Sequence, residues 1–282
     1  MPFPRTLATL ALAGLSAGAA SSPAAPSDAT SPSSAQRGTD GPCCPVLELR
    51  QYTLKPGQRD VLIDLFEREF VESQEALGMR LVGQFRDLDR PDRFVWIRGF
   101  ADMPARAEAL GAFYGGPVWQ AHREAANATM LDSDNVFLLR PVDANSAFAA
   151  PELSRAPIGS AGLSPSRILA TIYSLDHPVD DDFRRFFDTH VEPAQVEAGA
   201  RPLARLETEP AENTFPRLPV REGEHVFVSF AGFADDAALR EYETELATSP
   251  RWSRQVLPEL LGRLRTAPEV LRLAPTARSQ LR

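Results

Sequence analysis

The sequence predicts an α+β fold, in which two tandem ferredoxin-like βαββαβ halves form an α/β barrel within one chain. Three observations predict it. The 282 residues are 43% hydrophobic and 24% charged, which is the usual composition of a globular protein with a sizeable core. Short sequence matches recur in the same order in the two halves. Both halves also carry the same succession of strand-like and helix-like patterns.

The recurring matches lie at two long offsets. Residues 99–102 read Gly-Phe-Ala-Asp, and the same tetrapeptide returns at 232–235, which is 133 positions later. Upstream, Tyr52 matches Tyr173 at an offset of 121. The offsets differ by 12, which predicts a 12-residue insertion in the second half. It falls at about 207–224, a proline-rich stretch with the composition of a loop.

A local sequence pattern predicts each strand and helix of the first half. Residues 46–53 alternate between apolar and polar side chains, as a half-buried strand does. Pro56-Gly57 turns the chain, and apolar residues at helical spacing then predict a helix that Gly78 ends. The predicted elements are a strand at 46–53, a helix up to 77, strands at 80–86 and 93–100, a helix at 103–130 interrupted at 115–117, and a strand at 135–140.

The second half repeats this order. Its predicted elements are a strand at 167–175, a helix at 180–198, strands at 201–207 and 225–233, a broken helix at 235–264 and a strand at 270–273. We expect the helices of both halves to bury one apolar face against the sheets. The residues expected at these helical faces are Leu62, Leu65, Phe66, Phe183, Phe186 and Phe187.

A ferredoxin-like sheet has helices on one face only, so its other face needs cover. We expect the two sheets to cover each other as a barrel, and two independent ferredoxin-like domains are the alternative. The predicted division of the chain is a first half at 46–142, a linker at 143–166, a degenerate second half at 167–275 and a C-terminal tail at 276–282.

The N-terminus has the features of an export signal. Arg5 precedes a short stretch rich in Leu and Ala, and residues 17–19 form a small-x-small cleavage pattern. Residues 1–20 are therefore predicted to be a signal peptide, which places the mature protein in the periplasm or outside the cell. An unstructured leader or a start codon assigned too early is the alternative. The Ser/Pro/Ala-rich residues 21–45 are predicted to be a disordered linker.

Two cysteines, Cys43 and Cys44, close this linker. So few cysteines exclude a disulfide framework and a multi-cysteine zinc site. We expect two free thiols, while a vicinal disulfide or an intermolecular bridge stays open in an exported protein. Neither cysteine directly follows the apolar stretch, so a lipoprotein anchor is not supported.

Charge and hydropathy argue against nucleic-acid binding and against a membrane-spanning segment. The formal net charge is −8, so the basic footprint of a nucleic-acid-binding protein is absent. The N-terminal apolar stretch is too short to cross a bilayer core of about 30 Å. No other run in the sequence approaches a transmembrane segment, so no stable membrane span is predicted. Homo-oligomerisation stays open.

Two histidine-containing stretches invite a metal-binding interpretation. Residues 176–182 read Asp-His-Pro-Val-Asp-Asp-Asp, but an Asp N-cap with further acids at a helix start explains them better. Asp188, His190 and Glu192 are two apart and do not share a helix face. His190 and His122 are expected at the surface or at its boundary with the core, with a haem ligand or a base as the alternative. No metal site is predicted, and the cofactor stays unknown.

Residues 48–57, Glu-Leu-Arg-Gln-Tyr-Thr-Leu-Lys-Pro-Gly, resemble the opening signature of NIPSNAP domains. The strand at 94–102 and Trp119 also fall where such domains have an apolar strand and a tryptophan-containing helix. The second half keeps the pattern but loses the signature. The resemblance implies a tandem NIPSNAP protein of the dimeric α/β barrel superfamily, which includes cofactor-free monooxygenases and haem-degrading or haem-binding enzymes. NIPSNAP domains themselves have no settled reaction.

Strand alternation predicts a candidate ligand site. In the first strand, Leu47 and Leu49 share one face, while Glu48 and Arg50 share the other. We expect the apolar face to meet the helices and the polar face to look into the barrel. The side chains predicted to contact a ligand are Glu48, Arg50, Tyr52, Trp96, Arg98 and, from the second half, Tyr173. An internal Glu48–Arg50 salt-bridge network that merely closes the barrel is the alternative.

These residue types define the chemistry of the predicted site. The guanidinium groups of Arg50 and Arg98 attract anionic or carbonyl oxygens, and Trp96 offers a surface for stacking. The small residues Ser229 and Ala231 leave space in the second half. The predicted function is binding of a small, partly apolar, anionic or carbonyl ligand in the barrel. The alternative is a cofactor-free or haem-using monooxygenase-like enzyme. No catalytic residue is assigned.

Overall fold

A computed structural model of the chain describes residues 44–149 and 155–282. The predicted signal peptide and residues 21–43 of the predicted linker lie outside the described residues, so export stays a prediction. Within the described ranges, no helix combines the length and the apolar character that crossing a membrane requires.

The first half contains a long helix with a π-helical segment in its middle and a second helix that breaks at Gly116. Its elements are β1 (Val46–Leu54), α1 (Arg59–Leu65), a π-helical segment (Phe66–Phe70), α2 (Val71–Glu75), β2 (Arg80–Asp87), β3 (Arg93–Phe100), α3 (Met103–Gly115), α4 (Pro117–Thr129), β4 (Met130–Asp132) and β5 (Val136–Pro141). The Asp102 side chain caps α3 by accepting a hydrogen bond from the Ala105 N–H.

The second half follows the same order. Its elements are β6 (Arg167–Leu175), α5 (Asp181–Phe186), a π-helical segment (Phe187–Val191), α6 (Glu192–Glu197), β7 (Arg201–Thr208), β8 (His225–Phe233), α7 (Asp236–Thr248), a π-helical segment (Trp252–Val256), α8 (Leu257–Gly262) and β9 (Glu269–Pro275). Asp180 and Asp235 cap α5 and α7. The helix-start interpretation of the Asp-rich stretch at 176–182 is therefore confirmed.

Eight strands of the described chain close into an antiparallel barrel. The first half contributes the order β5–β1–β3–β2, and the second contributes β9–β6–β8–β7. The halves join where β2 pairs with β9 and where β5 pairs with β7. The short β4 pairs with the end of β1. The predicted barrel is confirmed, and the alternative of two independent domains is wrong.

The barrel interior is a continuous apolar core. It contains buried side chains from all eight strands: Leu47, Leu49, Val82, Phe85, Val95, Ile97, Phe137, Leu139, Ile168, Ala170, Ile172, Ala204, Leu206, Val226, Val228, Phe230, Leu271 and Leu273. Phe148, from the described part of the predicted linker, joins this core with its ring centroid 5.0 Å from that of Phe230. Leu281, near the C-terminus, also packs against it. The barrel is therefore filled by its own side chains.

The helices cover the outside of the barrel and form separate apolar layers with it. The six helical residues expected at these layers are all buried, with exposed fractions of 7% or less: Leu62, Leu65, Phe66, Phe183, Phe186 and Phe187. The predicted helical faces are thus confirmed.

The predicted direction of the β1 side chains is wrong. Leu47 and Leu49 lie in the barrel core, while Glu48, Arg50 and Tyr52 lie between the sheet and the helices. Both faces of β1 are buried, so polarity could not tell the inside of the barrel from the outside. The interior excludes charge because apolar side chains surround it on all sides. The helical layer tolerates charge because helices and loops can bring compensating groups.

Cys44 opens the described chain and is disulfide-bonded, so the expectation of two free thiols is wrong. Its side chain lies directly against β3 at Gly99. A Cβ atom added at Gly99 would lie 2.2 Å from the Cys44 Sγ. Glycine at position 99 is therefore required by the close approach of this side chain.

Replacement of Gly83 by alanine is expected to lower the free energy of unfolding by about 1–3 kcal/mol, because it overpacks the core. Gly83 lies where the β2–β3 register shifts, and an added Cβ would lie 2.3 Å from the Cζ of Phe85, a fully buried ring. Chemical denaturation measures the effect. Gly111→Ala, in α3 with open space around the new methyl group, is the control and should be neutral or stabilising. Equal stability of the Gly83→Ala variant and the wild type would contradict the expected overpacking.

Candidate functional site

A buried carboxylate, Glu48, is held by three arginines. Its Oε2 accepts hydrogen bonds from Arg50 Nη1 at 2.8 Å and from Arg98 Nε at 2.7 Å. Its Oε1 accepts from Arg106 Nε at 2.8 Å. All four side chains are 0% exposed. We call Glu48, Arg50, Arg98 and Arg106 the arginine cluster.

The sheet register assembles most of this cluster. Glu48 and Arg50 share one face of β1 because side chains alternate along a strand. Antiparallel pairing with β3 places Glu48 opposite Arg98 and Arg50 opposite Trp96. Arg106 comes from α3, which packs over the same face. The cluster therefore lies between the sheet and the helices of the first half.

The charges of the cluster fix the ionisation of Glu48. Burial by itself would raise the pKa of this carboxyl, but Arg98, Arg50 and Arg106 together hold the pKa well below its usual range. Glu48 is therefore an anion at any physiological pH. It is a counter-ion for the arginines and is unsuited to act as a general base.

Aromatic rings line the same layer. The guanidinium carbons of Arg50 and Arg98 lie 5.5 and 5.0 Å from the centroid of the Trp96 ring, within the range of cation–π contacts. The Tyr52 hydroxyl accepts a hydrogen bond from Arg50 Nε at 3.0 Å. Burial raises the pKa of Tyr52, so its phenol stays neutral. Trp96 and Tyr52 are thus occupied by the cluster itself.

The insertion of the second half covers this layer of the first. We call residues 209–224, between β7 and β8, the strap. Asn213 Oδ1 and Thr214 Oγ1 accept hydrogen bonds from Arg106 Nη1 at 2.9 and 3.2 Å. The Phe215 ring stacks on Tyr114 at 5.9 Å between centroids. The strap therefore completes the hydrogen bonding of Arg106 with neutral oxygens.

Two donors near the centre of the layer have neither a hydrogen-bond partner nor an ion-pair contact among the described residues, unlike Arg106 Nη2, which lies 2.7 Å from Glu48 Oε1. Arg98 Nη1 donates to Gln74 Oε1 at 2.9 Å, but Arg98 Nη2 is unpaired. The indole Nε1 of Trp96 is unpaired as well. Buried polar groups in folded proteins are nearly always satisfied, so these two donors need an acceptor that the described protein atoms do not supply.

The equivalent layer of the second half has lost the charged side chains. At the two repeat offsets, Leu169, Thr171, Ser229, Ala231 and Leu239 take the places of Glu48, Arg50, Trp96, Arg98 and Arg106. Tyr52 and Gln74 recur as Tyr173 and Gln195. All five replacements have lost a charged head or a large ring, and Thr171, Ser229 and Ala231 are also much smaller than the residues that they replace.

A cavity of about 380 Å³, which we call the second-half cavity, lies between the second-half sheet and its helices, and two of the replaced positions, Leu169 and Thr171, are among its lining residues. Its lining is formed by Leu169, Thr171, Tyr173, Gln195, Tyr242, Glu243, Leu246, Ala247, Trp252, Leu257, Leu260, Pro268, Val270 and Arg272. The walls are mostly aliphatic and aromatic, with a few polar groups. That is the usual character of a pocket for a small molecule.

The polar groups of the cavity are mostly neutral. The Tyr173 hydroxyl accepts a hydrogen bond from Gln195 Nε2 at 3.3 Å. Burial raises the pKa of Tyr173, although hydrogen bonds to Ser229, Gln195 and Thr171 oppose the rise. Burial also raises the pKa of Tyr242. Both phenols therefore stay protonated and can donate to a ligand oxygen.

The cavity also has one charged part. Arg272 donates from Nε to Glu243 Oε1 at 2.5 Å and from Nη1 to Asp89 Oδ2 at 2.9 Å. Its guanidinium is thus already matched by two carboxylates. An anionic ligand would have to compete with both of them.

The structure brings five of the predicted site residues together and separates the sixth. Glu48, Arg50, Tyr52, Trp96 and Arg98 lie in one cluster of the first half, in contact with each other. Tyr173 lies in the cavity of the second half. Their role in ligand binding stays a prediction. Sequence reasoning missed Arg106, Gln74, Gln195 and Tyr242. The identity of Gln74 and Gln195 at the offset of 121 is the signal that could have found that pair.

The histidines considered as haem ligands lie away from both sites. His190 is exposed, and its ring lies against Phe186. His122 is half-buried at 33% exposure, with its Nε2 3.5 Å from Glu69 Oε2. Neither lines the second-half cavity. The expectation that both lie at or near the surface is confirmed.

A family model for NIPSNAP matches residues 47–145. Among solved structures, a candidate monooxygenase from Fusobacterium nucleatum is similar over 83% of this chain and 93% of its own, with a TM-score of 0.52 and 9% identity. A candidate monooxygenase from Lactobacillus acidophilus covers 83% of this chain and 94% of its own, with a TM-score of 0.47 and 15% identity. A NIPSNAP family protein from Agrobacterium tumefaciens covers 35% of this chain and 93% of its own, with a TM-score of 0.33 and 24% identity. No curated protein matches the chain.

The Fusobacterium structure supports the α/β barrel over most of the chain and, at 9% identity, indicates the fold alone. The family match covers 99 of the 282 residues, in the first of the two repeats, which carries the opening signature at residues 48–57.

Proposed function

Residues 47–145 form a NIPSNAP domain, and from that premise we propose that the chain is a small-molecule-binding protein whose ligand occupies the second-half cavity. The ligand is a small, largely apolar molecule with a carbonyl or hydroxyl group. The cavity itself carries this proposal, because about 380 Å³ of space is lined by apolar side chains and by a few neutral hydrogen-bonding groups.

The two halves have the same strand order, so their sheet–helix layers can be compared position by position. The orders β5–β1–β3–β2 and β9–β6–β8–β7 are the same when each half is numbered from its own first strand. This supports the interpretation of two tandem ferredoxin-like halves. In the proposal, the first half keeps a packed, ion-paired layer, and the second half uses the equivalent layer to hold a ligand.

The neutral polar groups select the ligand's polar end. Tyr173, Gln195 and Tyr242 offer hydroxyl and amide groups without a formal charge, which suit a ketone, quinone or phenol. A carboxylate would find Arg272 already paired with Glu243 and Asp89. The proposal therefore favours the carbonyl alternative over the anionic one. Trp252 supplies a flat surface for an aromatic body.

Haem, which the superfamily resemblance brings into consideration, fits this cavity poorly. The described lining contains no histidine, cysteine or methionine to ligate the iron. Its two tyrosines have raised pKa values because of burial, and a tyrosine ligand must be deprotonated. The proposal therefore includes no haem, and no catalytic residue is assigned. Export through residues 1–20 remains part of the proposal as a prediction.

Binding of 1-naphthol, a neutral aromatic probe with one hydroxyl group, tests the proposal. We expect saturable binding with one site per chain, measured by calorimetry. Tyr173→Phe should weaken it by roughly five- to thirtyfold, because a buried hydrogen bond to the probe is lost. Tyr114→Phe, beside the strap in the first half, is the matched control and should bind like the wild type.

Two results would overturn this function. One is the absence of saturable binding of 1-naphthol and of any co-purified molecule in the native mass spectrum. The other is an equal loss of affinity in Tyr173→Phe and Tyr114→Phe, which would place the site elsewhere. Oxygen consumption that requires both 1-naphthol and Tyr173 would establish the monooxygenase alternative in place of binding alone.

A further inference from the structure

We propose that the arginine cluster of the first half binds a compact monovalent anion of the size of chloride, beside Arg98 and Trp96. This site is distinct from the second-half cavity and does not depend on it. Its position is the sheet–helix layer under the strap, where Arg98 Nη2 and Trp96 Nε1 have no acceptor among the described residues.

The cluster carries a surplus of positive charge. Three guanidinium groups share the single carboxylate of Glu48, which leaves two charges uncompensated. Arginine does not deprotonate in proteins, so the surplus cannot be removed by proton loss. All these side chains are 0% exposed, so water does not screen the charges from outside. An uncompensated buried charge is strongly unfavourable, and a bound anion would offset it.

The other partners of the arginines are neutral. Arg98 donates to the Gln74 amide, and Arg106 donates to Asn213 and Thr214 of the strap. Arg50 donates to the Tyr52 hydroxyl and approaches the Ser133 carbonyl oxygen at 3.5 Å. These oxygens satisfy individual N–H groups but bring no negative charge. The surplus therefore persists after every described hydrogen bond is counted.

The two unpaired donors indicate where the anion would lie. Arg98 Nη2 and Trp96 Nε1 belong to neighbouring side chains, since the Arg98 guanidinium carbon is 5.0 Å from the Trp96 ring centroid. Both groups are N–H donors and neither can accept, so the missing partner must be an acceptor. Because Trp96 and Arg98 are at most 2% exposed, the acceptor must be small.

The comparison of the two halves supports a charge-specific site. Where the first half has Arg50, Trp96 and Arg98, the second has Thr171, Ser229 and Ala231. These replacements remove the surplus charge and both unpaired donors at once. The anion site is therefore a property of the first half alone.

Thermal unfolding of the full chain in sodium chloride and in sodium gluconate at equal ionic strength tests the proposal. Gluconate is too large for the enclosed layer. We expect chloride to raise the unfolding midpoint by a few degrees in a saturable manner, because a ligand that binds only the folded state stabilises it. Bromide-soaked crystals should show an anomalous peak within hydrogen-bonding distance of Arg98 Nη2.

A matched pair of variants separates the anion site from general salt effects. Gln74→Glu places a second carboxylate against Arg98 Nη1, so it should reduce the chloride response at least about threefold by competing with the anion. Gln51→Glu makes the same change against Arg93 Nη1, outside the cluster, and should keep the wild-type response. Superimposable chloride and gluconate curves would overturn the proposal. So would equal responses of the two variants, or a bromide map in which the site holds only water.

Discussion

Replacement of Glu48 by glutamine is expected to lower the free energy of unfolding by about 3–5 kcal/mol, the usual range for breaking a buried ion pair by removing one partner. The variant keeps the shape of the side chain but leaves three buried guanidinium groups without a carboxylate. Urea denaturation in gluconate buffer measures the effect without a small anion to replace the lost charge. The midpoint should fall while the slope stays unchanged, since the same surface is exposed on unfolding.

Glu207→Gln is the matched control for this prediction. Glu207 is also a buried carboxylate between two arginines, but its partners Arg140 and Arg184 are 43% and 29% exposed. Water can solvate those guanidinium groups when the pair is broken, so the loss should be only about 1 kcal/mol. Similar losses in the two variants would mean that burial of the cluster does not matter. Adding Arg98→Met to Glu48→Gln should cost less than the sum of the two single changes, because both break the same contacts.

The same carboxylate predicts a pH dependence of stability. The pKa of Glu48 in the folded chain lies well below its usual range, because Arg98, Arg50 and Arg106 outweigh the effect of burial. A lowered folded-state pKa contributes stability above the unfolded-state pKa, and this contribution is lost as the pH falls through the range between the two values. The wild type should therefore lose stability progressively below about pH 5, and Glu48→Gln should lack that part of the decline.

The sequence predicted the barrel because its signals were local or repetitive. The alternation of residues 46–53 and the glycine at 78 each reflect a local backbone requirement, and both requirements hold in the structure. The two offsets of 121 and 133 are the repetitive signal. Gly78 has a φ of 85°, which is the left-handed conformation that ends a helix. The repetition then predicted that the second half has the same order of strands and helices as the first.

The direction of the polar face could not be derived in the same way. Alternation separates Glu48 from Leu49 but does not say which of them points into the barrel, and both are 0% exposed. The deciding partners are distant in sequence. Arg106 lies 58 residues after Glu48, and Asn213 lies 107 residues after Arg106. A charged side chain is buried on the face of the sheet that its hydrogen-bond and ion-pair partners contact. Which face that is depends on the assembled fold.

The space in the second half was expected inside the barrel beside Ser229 and Ala231, and neither residue is among those that line the second-half cavity. Ser229 and Ala231 are indeed the small counterparts of Trp96 and Arg98. Because the face assignment was inverted, the space was expected inside the barrel, where apolar side chains fill it. In the structure the same face meets the helices, where the cavity beside Tyr173 lies. The inverted face assignment therefore placed the predicted site in the barrel core, whereas Tyr52, Trp96 and Tyr173 lie in the layers between the sheet and the helices.

Replacement of Thr171 by phenylalanine is expected to weaken 1-naphthol binding at least about tenfold, or 1.4 kcal/mol, since the new ring occupies the ligand's space. Thr171 is 7% exposed and lies on β6 beside Tyr173, on the face that lines the second-half cavity. A ring that fills an existing void also gains contacts, so the free energy of unfolding should stay the same or rise. Calorimetry and urea denaturation on the same sample measure the two effects.

The opposite signs of these two effects make the test specific. A misfolded variant would lose binding and stability together, whereas a filled cavity loses binding alone. Thr244→Phe adds the same ring at an exposed position of α7 and is the control for nonspecific attraction of the probe. It should bind 1-naphthol with the wild-type affinity at the main site. Unchanged affinity in Thr171→Phe would mean that the probe does not occupy the part of the cavity beside Thr171.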